Sequence, residues 1–140
     1  MKRNISDFFS VEGKIGVITG GGGDLCGHMA GELTALGARI AVLDLSPEKA
    51  GARVEQIRRG GGEAEAYPCN VLGKKQLEEV YEAVSARWGA PDFLINGAGG
   101  NNPKASTDVE FLERGELDRG DRKNFFNFAK IGKADDVTVI

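Results

Sequence analysis

The sequence predicts an α/β fold: a parallel sheet wound on both faces by helices. Three observations predict it. Short apolar runs at residues 14–19, 38–45 and 92–96 alternate with segments of helical period, the rhythm of successive right-handed βαβ crossovers. The first run, KIGVIT, ends in four consecutive glycines, Gly20 to Gly23, before a helical pattern opens at Asp24. Apolar residues in the first two runs are nearly unbroken, as in strands covered on both faces.

Residues 1–13 read as a lead-in arm, with Phe8, Phe9 and Val11 expected beneath the first strand, Lys14–Thr19. In the helix Asp24–Leu36, the residues Leu25, Met29, Leu33 and Leu36 recur at spacings of three and four and predict one apolar stripe, with Gly37 as the stop. Ala38–Leu45 is the second strand. Ser46-Pro47-Glu48 then opens a helix with a capping hydroxyl, a proline at the first position and an acid in the first turn. That helix runs to Arg59, where Gly60–Gly62 end it. Glu63–Asn70 is a third strand made irregular by Pro68, and Lys74–Trp88 a third helix with Leu77, Val80, Tyr81, Val84 and Trp88 on one side. Gly89 closes the helix and Asp92–Asn96 is the fourth strand.

Beyond Gly100 the pattern weakens. Val109–Leu117 and Asn124–Ile131 are expected helices and Asp136–Ile140 a last strand. The chain therefore divides into an arm (1–13), a nucleotide-binding part (14–104) and a poorly patterned segment (105–140), with a sheet cut short after four to five strands.

With 140 residues, 41% of them hydrophobic and 28% charged, the chain is one globular domain with a real core. A net charge of −3 argues against a protein that wraps nucleic acid or an anionic membrane. No apolar run is long enough to span a bilayer, and MKRNISDFFSVEG lacks a signal-peptide core. Two cysteines, Cys26 and Cys69, read as small buried apolar groups in a reducing, cytoplasmic setting. His28 is the sole histidine and reads as a surface or helix-contact residue, so no metal site is expected. Trp88 and the tyrosines read as core.

A strand, a glycine turn and a helix form a site for a dinucleotide. Bare glycines let the backbone approach a pyrophosphate, which sits on the N–H groups of the helix N-terminus. The alternative is a tight turn with no ligand. Asp44 lies at the end of the second strand, about twenty residues beyond the glycines, where a carboxylate accepts from both ribose hydroxyls and repels a 2′-phosphate. It could instead be a capping or solvated acid. Asn96-Gly97-Ala98-Gly99 follows the fourth strand at another carboxyl end, as a ligand-lining loop or simply another turn. A phosphate-binding loop of the GxxxxGK[ST] kind would need lysine where His28 stands.

Thr19-Gly20, Asp44, Asn70-Val71 and Asn96-Gly97-Ala98-Gly99 together resemble the cofactor half of the short-chain dehydrogenase/reductase family. The runs GGGGDLCGHMA and NGAGGNNPKAST resemble its D-mannonate oxidoreductase (fructuronate reductase) branch, over Val11 to about Phe126. The resemblance implies a Rossmann-type fold and the following roles. The backbone of Gly20, Gly22, Gly23, Asp24 and Leu25 would hold the pyrophosphate, and Asp44 and Leu45 would flank the adenosine ribose. Asn70 stands where the family places an Asp near the adenine, and Val71 would lie on the ring. Asn96, Gly97, Ala98 and Gly99 would line the nicotinamide side, with Asn101, Asn102 and Lys104 on a substrate-side loop. NAD is favoured over NADP, the substrate would be a small sugar acid or polyol, and the assembly a homo-oligomer.

Two departures qualify this. The family pattern TGxxxGxG, laid on Thr19, puts Asp24 and Cys26 where two glycines belong. An inward Asp24 carboxylate would compete with phosphate, whereas one capping the helix from outside would be harmless. The family also reduces carbonyls with a Tyr, a Lys four residues later and a Ser, because an unperturbed phenol is a poor acid–base group at neutral pH. Here Tyr67 and Tyr81 are followed at that spacing by Val71 and Ser85. The expectation is an NAD-dependent oxidoreductase whose catalytic half is missing from this chain, so no catalytic residue is assigned. One alternative is a non-catalytic NAD-binding or interaction module with the tail from Ala105 as partner surface. Another is a fragment whose unpaired apolar sheet edge makes it fold poorly.

Overall fold

A computed structural model describes residues 9–99. Seven elements alternate along them: β1 (Ile15–Thr19), α1 (Asp24–Ala35), β2 (Arg39–Asp44), α2 (Pro47–Arg59), β3 (Glu63–Pro68), α3 (Lys74–Trp88) and β4 (Phe93–Asn96). The strands form one parallel sheet in the order β3-β2-β1-β4. The chain steps outward from β1 through β2 to β3, then crosses back to β4 on the other side of β1. That reversal opens a crevice above the carboxyl ends of β1 and β4, where sheets of this kind bind their ligands. The fold is the Rossmann-type α/β arrangement that the alternating elements predict.

Each sheet face has its own core. On one side Ile18, Ile40, Val42 and Ala64 meet Cys26 and Ala30 of α1 and Ala50, Val54 and Ile57 of α2. On the other, Ile15, Ala41 and Leu43 meet Cys69 and Val84, with Val80 and Trp88 of α3 packed against them. β1 and β2 thus feed side chains to both layers, which is why their apolar runs are unbroken. α2 starts as its sequence dictates: the Ser46 hydroxyl accepts from the Lys49 N–H at 3.2 Å, Pro47 takes the first position, and Arg58 and Arg59 stand in the last turn.

Several expectations need correction. The face that α1 buries is Cys26, Gly27, Ala30 and Thr34. Of the predicted stripe only Leu33 packs on the core; Leu25 is 71% exposed, and Met29 and Leu36 are also exposed. Small residues bring the helix axis close to the sheet, a fit that a count of large apolar side chains cannot register. The helix ends at Ala35, with Leu36 as its C-cap. On α3, Leu77 and Tyr81 are exposed while Val80, Val84 and Trp88 face the sheet. β3 stops at Pro68, not Asn70: the Cys69 N–H still donates to the Asp44 carbonyl at 2.9 Å, after which Asn70 turns the chain. Val11 reaches the core, but Phe9 is 82% exposed. Phe8, the loop residues Asn101, Asn102 and Lys104, and the expected elements at 109–117, 124–131 and 136–140 lie outside the described residues. Among the described residues no helix is long and apolar enough to cross a membrane.

Candidate functional site

The site begins where β1 gives way to α1. The Gly21 N–H donates to the Leu43 carbonyl at 3.0 Å, extending the β1–β2 ladder by one residue, and the Gly23 N–H donates back to the Gly20 carbonyl at 3.0 Å. Gly20 has a φ of +66°, and a Cβ there would lie 2.6 Å from the Gly97 carbonyl oxygen, so no other residue fits without distortion. Gly23 caps α1 with no side-chain hydrogen bond, and the first amide to find a helical acceptor is Gly27, which donates to the Gly23 carbonyl at 2.9 Å. Among the described residues none accepts from the N–H groups of Asp24, Leu25 or Cys26. These are the orphan donors of a helix start, aligned with the positive end of its dipole. Asp24 is exposed, and its carboxylate accepts from none of them among the described residues, so it does not fill the space it could have occupied.

One wall is the end of β2. Asp44 turns its carboxylate toward the glycines: Oδ2 accepts from the Gly22 N–H and Oδ1 from the Ser46 N–H, each at 3.0 Å. Every carboxylate oxygen has two lone pairs, so each keeps one for a ligand. Gly22 is bare because a Cβ would lie 2.9 Å from Asp44 Oδ2 and 2.7 Å from the Lys49 Cβ. Leu45, the next residue, is 75% exposed at the rim. Arg53 reaches over from α2, its guanidinium lying against Gly27, with Nη1 donating to Gln56 Oε1 at 2.9 Å and Nη2 at 3.5 Å from the Gly23 carbonyl oxygen.

The opposite wall is the end of β4. Thr19 Oγ1 accepts from the N–H groups of both Gly97 and Ala98, at 3.0 and 3.1 Å, which ties the β4 exit to the foot of the glycine turn. The Cys26 Sγ occupies the space a side chain at Gly97 would need. Asn96 and Gly99 are exposed. Asn70 and Val71 lie past the end of β3, beyond Asp44. Asn70 Oδ1 accepts from the Leu72 N–H at 3.0 Å, and its own N–H donates to Gln76 Oε1 at 2.7 Å, so its side-chain oxygen shapes this turn. Val71 is half-buried.

The expected residues from Gly20 to Leu25 are therefore joined directly to Asp44, and through Thr19 to Gly97 and Ala98. Asn70 and Val71 follow Cys69, whose N–H is bonded to the Asp44 carbonyl, and among the described residues no hydrogen bond joins either to the glycine turn. Sequence reasoning missed two contributions. Thr19 was read as a strand end and as the start of the glycine motif, but not as the acceptor that holds Gly97 and Ala98. Arg53 had a signal in its position one helical turn after Lys49, which puts both on the flank of α2 beside the glycines. The side groups that could compete for a chemical role are engaged elsewhere. His28 is exposed and pairs its Nδ1 with the Asp24 carbonyl at 3.0 Å. Burial pushes the Cys69 thiol pKa up. The Tyr67 phenol is also pushed up, first by burial and then by Glu65, with Arg87 opposing. Among the described residues no group of three or more His, Cys, Asp or Glu is placed to hold a metal.

Comparison with known proteins agrees with this geometry. Residues 14–125 match the model of the short chain dehydrogenase family. An uncharacterised oxidoreductase of Haemophilus influenzae is 43% identical over 92% of this chain, and one of Bacillus subtilis is 43% identical over 88%. The chain spans 45% and 43% of those two relatives, less than half of either. Among solved structures, a Haemophilus protein described as a candidate D-mannonate oxidoreductase, with bound NAD, is 42% identical and superposes with a TM-score of 0.71, over 92% of this chain and 45% of that one. A metagenomic short-chain oxidoreductase in complex with NADP, 28% identical, gives a TM-score of 0.64 over 78% of this chain and 48% of that one. The match covers most of the chain and includes the glycine turn, Asp44 and the β4 exit: this protein belongs to the short-chain dehydrogenase/reductase family.

Proposed function

We propose that this chain supplies the NAD-binding part, residues 14–104, of a cytoplasmic, homo-oligomeric oxidoreductase that acts on the hydroxyl or carbonyl group of a sugar acid or polyol. The observation that carries the cofactor half of this reading is a juxtaposition. Three N–H groups with no acceptor among the described residues open α1 beside a carboxylate already oriented by the Gly22 amide at 3.0 Å. Bare backbone, helix dipole and acid are the three things that a non-phosphorylated dinucleotide requires.

On this reading the N–H groups of Asp24 and Leu25 receive the pyrophosphate, and Gly23, with no side chain, leaves room for it. Gly20 and Gly22 hold the turn in shape. Asp44 takes the two ribose hydroxyls with its remaining lone pairs and excludes a 2′-phosphate. Leu45 flanks the same ribose, and Val71 lies on the adenine ring with Asn70 near it. Asn96, Gly97, Ala98 and Gly99 line the nicotinamide side. NAD, when bound, accepts or donates the hydride. The proton on the substrate oxygen needs a Tyr–Lys pair, and neither Tyr67 nor Tyr81 has Lys four residues later. The 140-residue chain therefore binds NAD without appreciable turnover. The sugar-acid class rests on the likeness to the Haemophilus D-mannonate protein. The reducing compartment rests on two free, buried thiols. The reading as a non-catalytic NAD-binding or interaction module uses the same site and differs in giving the tail from Ala105 to a partner.

Calorimetric titration of NAD and NADP into the intact chain tests the assignment. NAD is expected to bind more tightly. Asp44→Ala should cost about tenfold in NAD affinity, the worth of a charge-assisted hydrogen bond, and abolish the preference. Asp44→Asn, which retains an acceptor for the Gly22 amide, separates loss of charge from loss of turn geometry. Equal or tighter binding of NADP by the unaltered chain would refute the role given to Asp44.

A further inference from the structure

The start of α1 and the exit of β4 meet through the side chain of Cys26. We infer that Cys26 is a positioning residue: its thiol sets the gap between the helix amides and the β4 exit, and with it the fit of the nicotinamide half of the cofactor. This rests on the nucleotide-site reading above and deepens it.

Cys26 is the third residue of α1 and begins its buried face, at 8% exposure. Its N–H is one of the three with no acceptor among the described residues, so its backbone belongs to the helix end that would meet a phosphate. Its side chain reaches toward β4. Phe93 and Ile95 pack on the core layer that contains Cys26, and Gly97, two residues on, continues that face past the end of the strand. A Cβ at Gly97 would run into Cys26 Sγ, and would lie 3.4 Å from Cys26 Cβ and 2.9 Å from the Thr19 carbonyl oxygen. The thiol therefore lies directly against the Gly97 backbone. Thr19 Oγ1 holds the Gly97 N–H at 3.0 Å, and bare Gly20 leaves space for the Gly97 carbonyl. Those two contacts tie Gly97 to the end of β1, and the Cys26 contact ties it to α1. Gly97 remains exposed, so the sulfur backs it without covering it. The family pattern laid on Thr19 has a glycine where Cys26 stands, and a glycine makes no such contact, so this spacing comes from the thiol and not from the pattern. In a close-packed junction a sulfur atom is a spacer, and its removal lets helix and loop settle toward the void. That shift matters little to a ligand held by α1 alone and more to one that spans both walls.

ADP and NAD separate the two walls, since both carry adenosine and two phosphates and only NAD adds the nicotinamide riboside. Both are titrated calorimetrically into the intact chain, Cys26→Ala, Gly97→Ala and the double variant, with urea midpoints measured alongside. The intact chain should bind NAD more tightly than ADP. Cys26→Ala should weaken NAD by about fivefold and ADP by less than about twofold. Gly97→Ala, whose methyl group meets the thiol, should weaken NAD by about tenfold. The double variant should bind NAD about threefold more tightly than Gly97→Ala, because the methyl group enters the space the sulfur leaves. Recovery stays partial because the contact with the Thr19 carbonyl persists. A role in stability alone would lower the urea midpoint of Cys26→Ala and leave the NAD-to-ADP ratio where it was. That result, or equal weakening of both ligands, overturns the positioning role while the nucleotide site still stands. So does an intact chain that binds ADP as tightly as NAD. If neither ligand binds the intact chain, the nucleotide-site reading falls and the role of Cys26 falls with it. Cys26→Ala alone decides the case should Gly97→Ala fail to fold.

Discussion

Gly20 and Gly23 look alike in the sequence and do different work in the fold. At Gly20 the backbone is left-handed and a Cβ would press on the Gly97 carbonyl, so Gly20→Ala should destabilise the chain by about 2 kcal/mol or more. Gly23 has φ −76° and ψ 172°, ordinary extended backbone, and a Cβ there would lie 3.3 Å from the Gly20 carbonyl oxygen, a tighter contact than most but looser than at Gly20. Gly23→Ala should destabilise the chain less than Gly20→Ala yet weaken NAD, because the methyl group stands where a pyrophosphate approaches the helix amides. Urea denaturation and calorimetry on the two variants separate the effects. A Gly23→Ala protein with unaltered NAD affinity would remove the pyrophosphate from this position. The run of four glycines was legible as a turn; which of them serve the fold and which leave room for a ligand was not, since that depends on Gly97, Lys49 and Asp44, all distant in sequence.

The elements show the same boundary between what pattern reveals and what it hides. Strand and helix order was readable because the apolar runs of β1 and β2 are nearly unbroken and α2 carries Ser46, Pro47 and terminal arginines at the positions capping demands. The buried face of α1 was not readable. Its leucines fall at helical spacing, but Cys26, Gly27, Ala30 and Thr34 make the contact, and small residues carry almost no signal in a hydrophobic period. Asn70 was placed by resemblance, but the use of its oxygen within its own turn depends on Leu72 and on the fold of that loop. Between elements, Asp92 joins the start of β4 to the start of β1: Oδ2 accepts from the Ile15 N–H at 2.8 Å and Oδ1 pairs with Lys14 Nζ at 3.1 Å. The Ile15 amide first, and Lys14 second, hold its carboxyl below the ordinary value of 3.8. A depressed folded-state pKa contributes stability above 3.8 that is lost as the pH falls below it. Urea midpoints measured from pH 7 down to about pH 3 should therefore fall further for the natural chain than for Asp92→Asn. Parallel decline in the two would show that the Asp92 bonds contribute nothing to the linkage.

At the scale of the whole described region, two cores on opposite faces share one sheet, and each contains a free cysteine. Cys26 lies in the α1–α2 layer at 8% exposure and Cys69 in the α3 layer at 4%. Neither thiol should react with iodoacetamide in the native chain, and both should react in urea. A nucleotide on the N-terminus of α1 should slow labelling of Cys26 more than that of Cys69, because local opening of that helix would have to release the ligand. Mass spectrometry of the two labelled peptides resolves them, and equal protection would mean that only global stability had changed. The sheet edges differ as well. On β3, Arg58 donates to the Ala64 carbonyl at 3.0 Å and Pro68 offers no amide, both of which discourage strand addition. β4 carries Leu94, 57% exposed, on the α3 side of the sheet.

The Thr19 hydroxyl oxygen, which accepts from two successive amides of the β4 exit, makes the bottom of the crevice a rigid trough. Its halves swing apart like a jaw only by freeing both amides at once. If a nucleotide docks there as proposed, the readier motion among the described residues belongs to the lips, where Leu25, Leu45 and Lys49 stand in solvent.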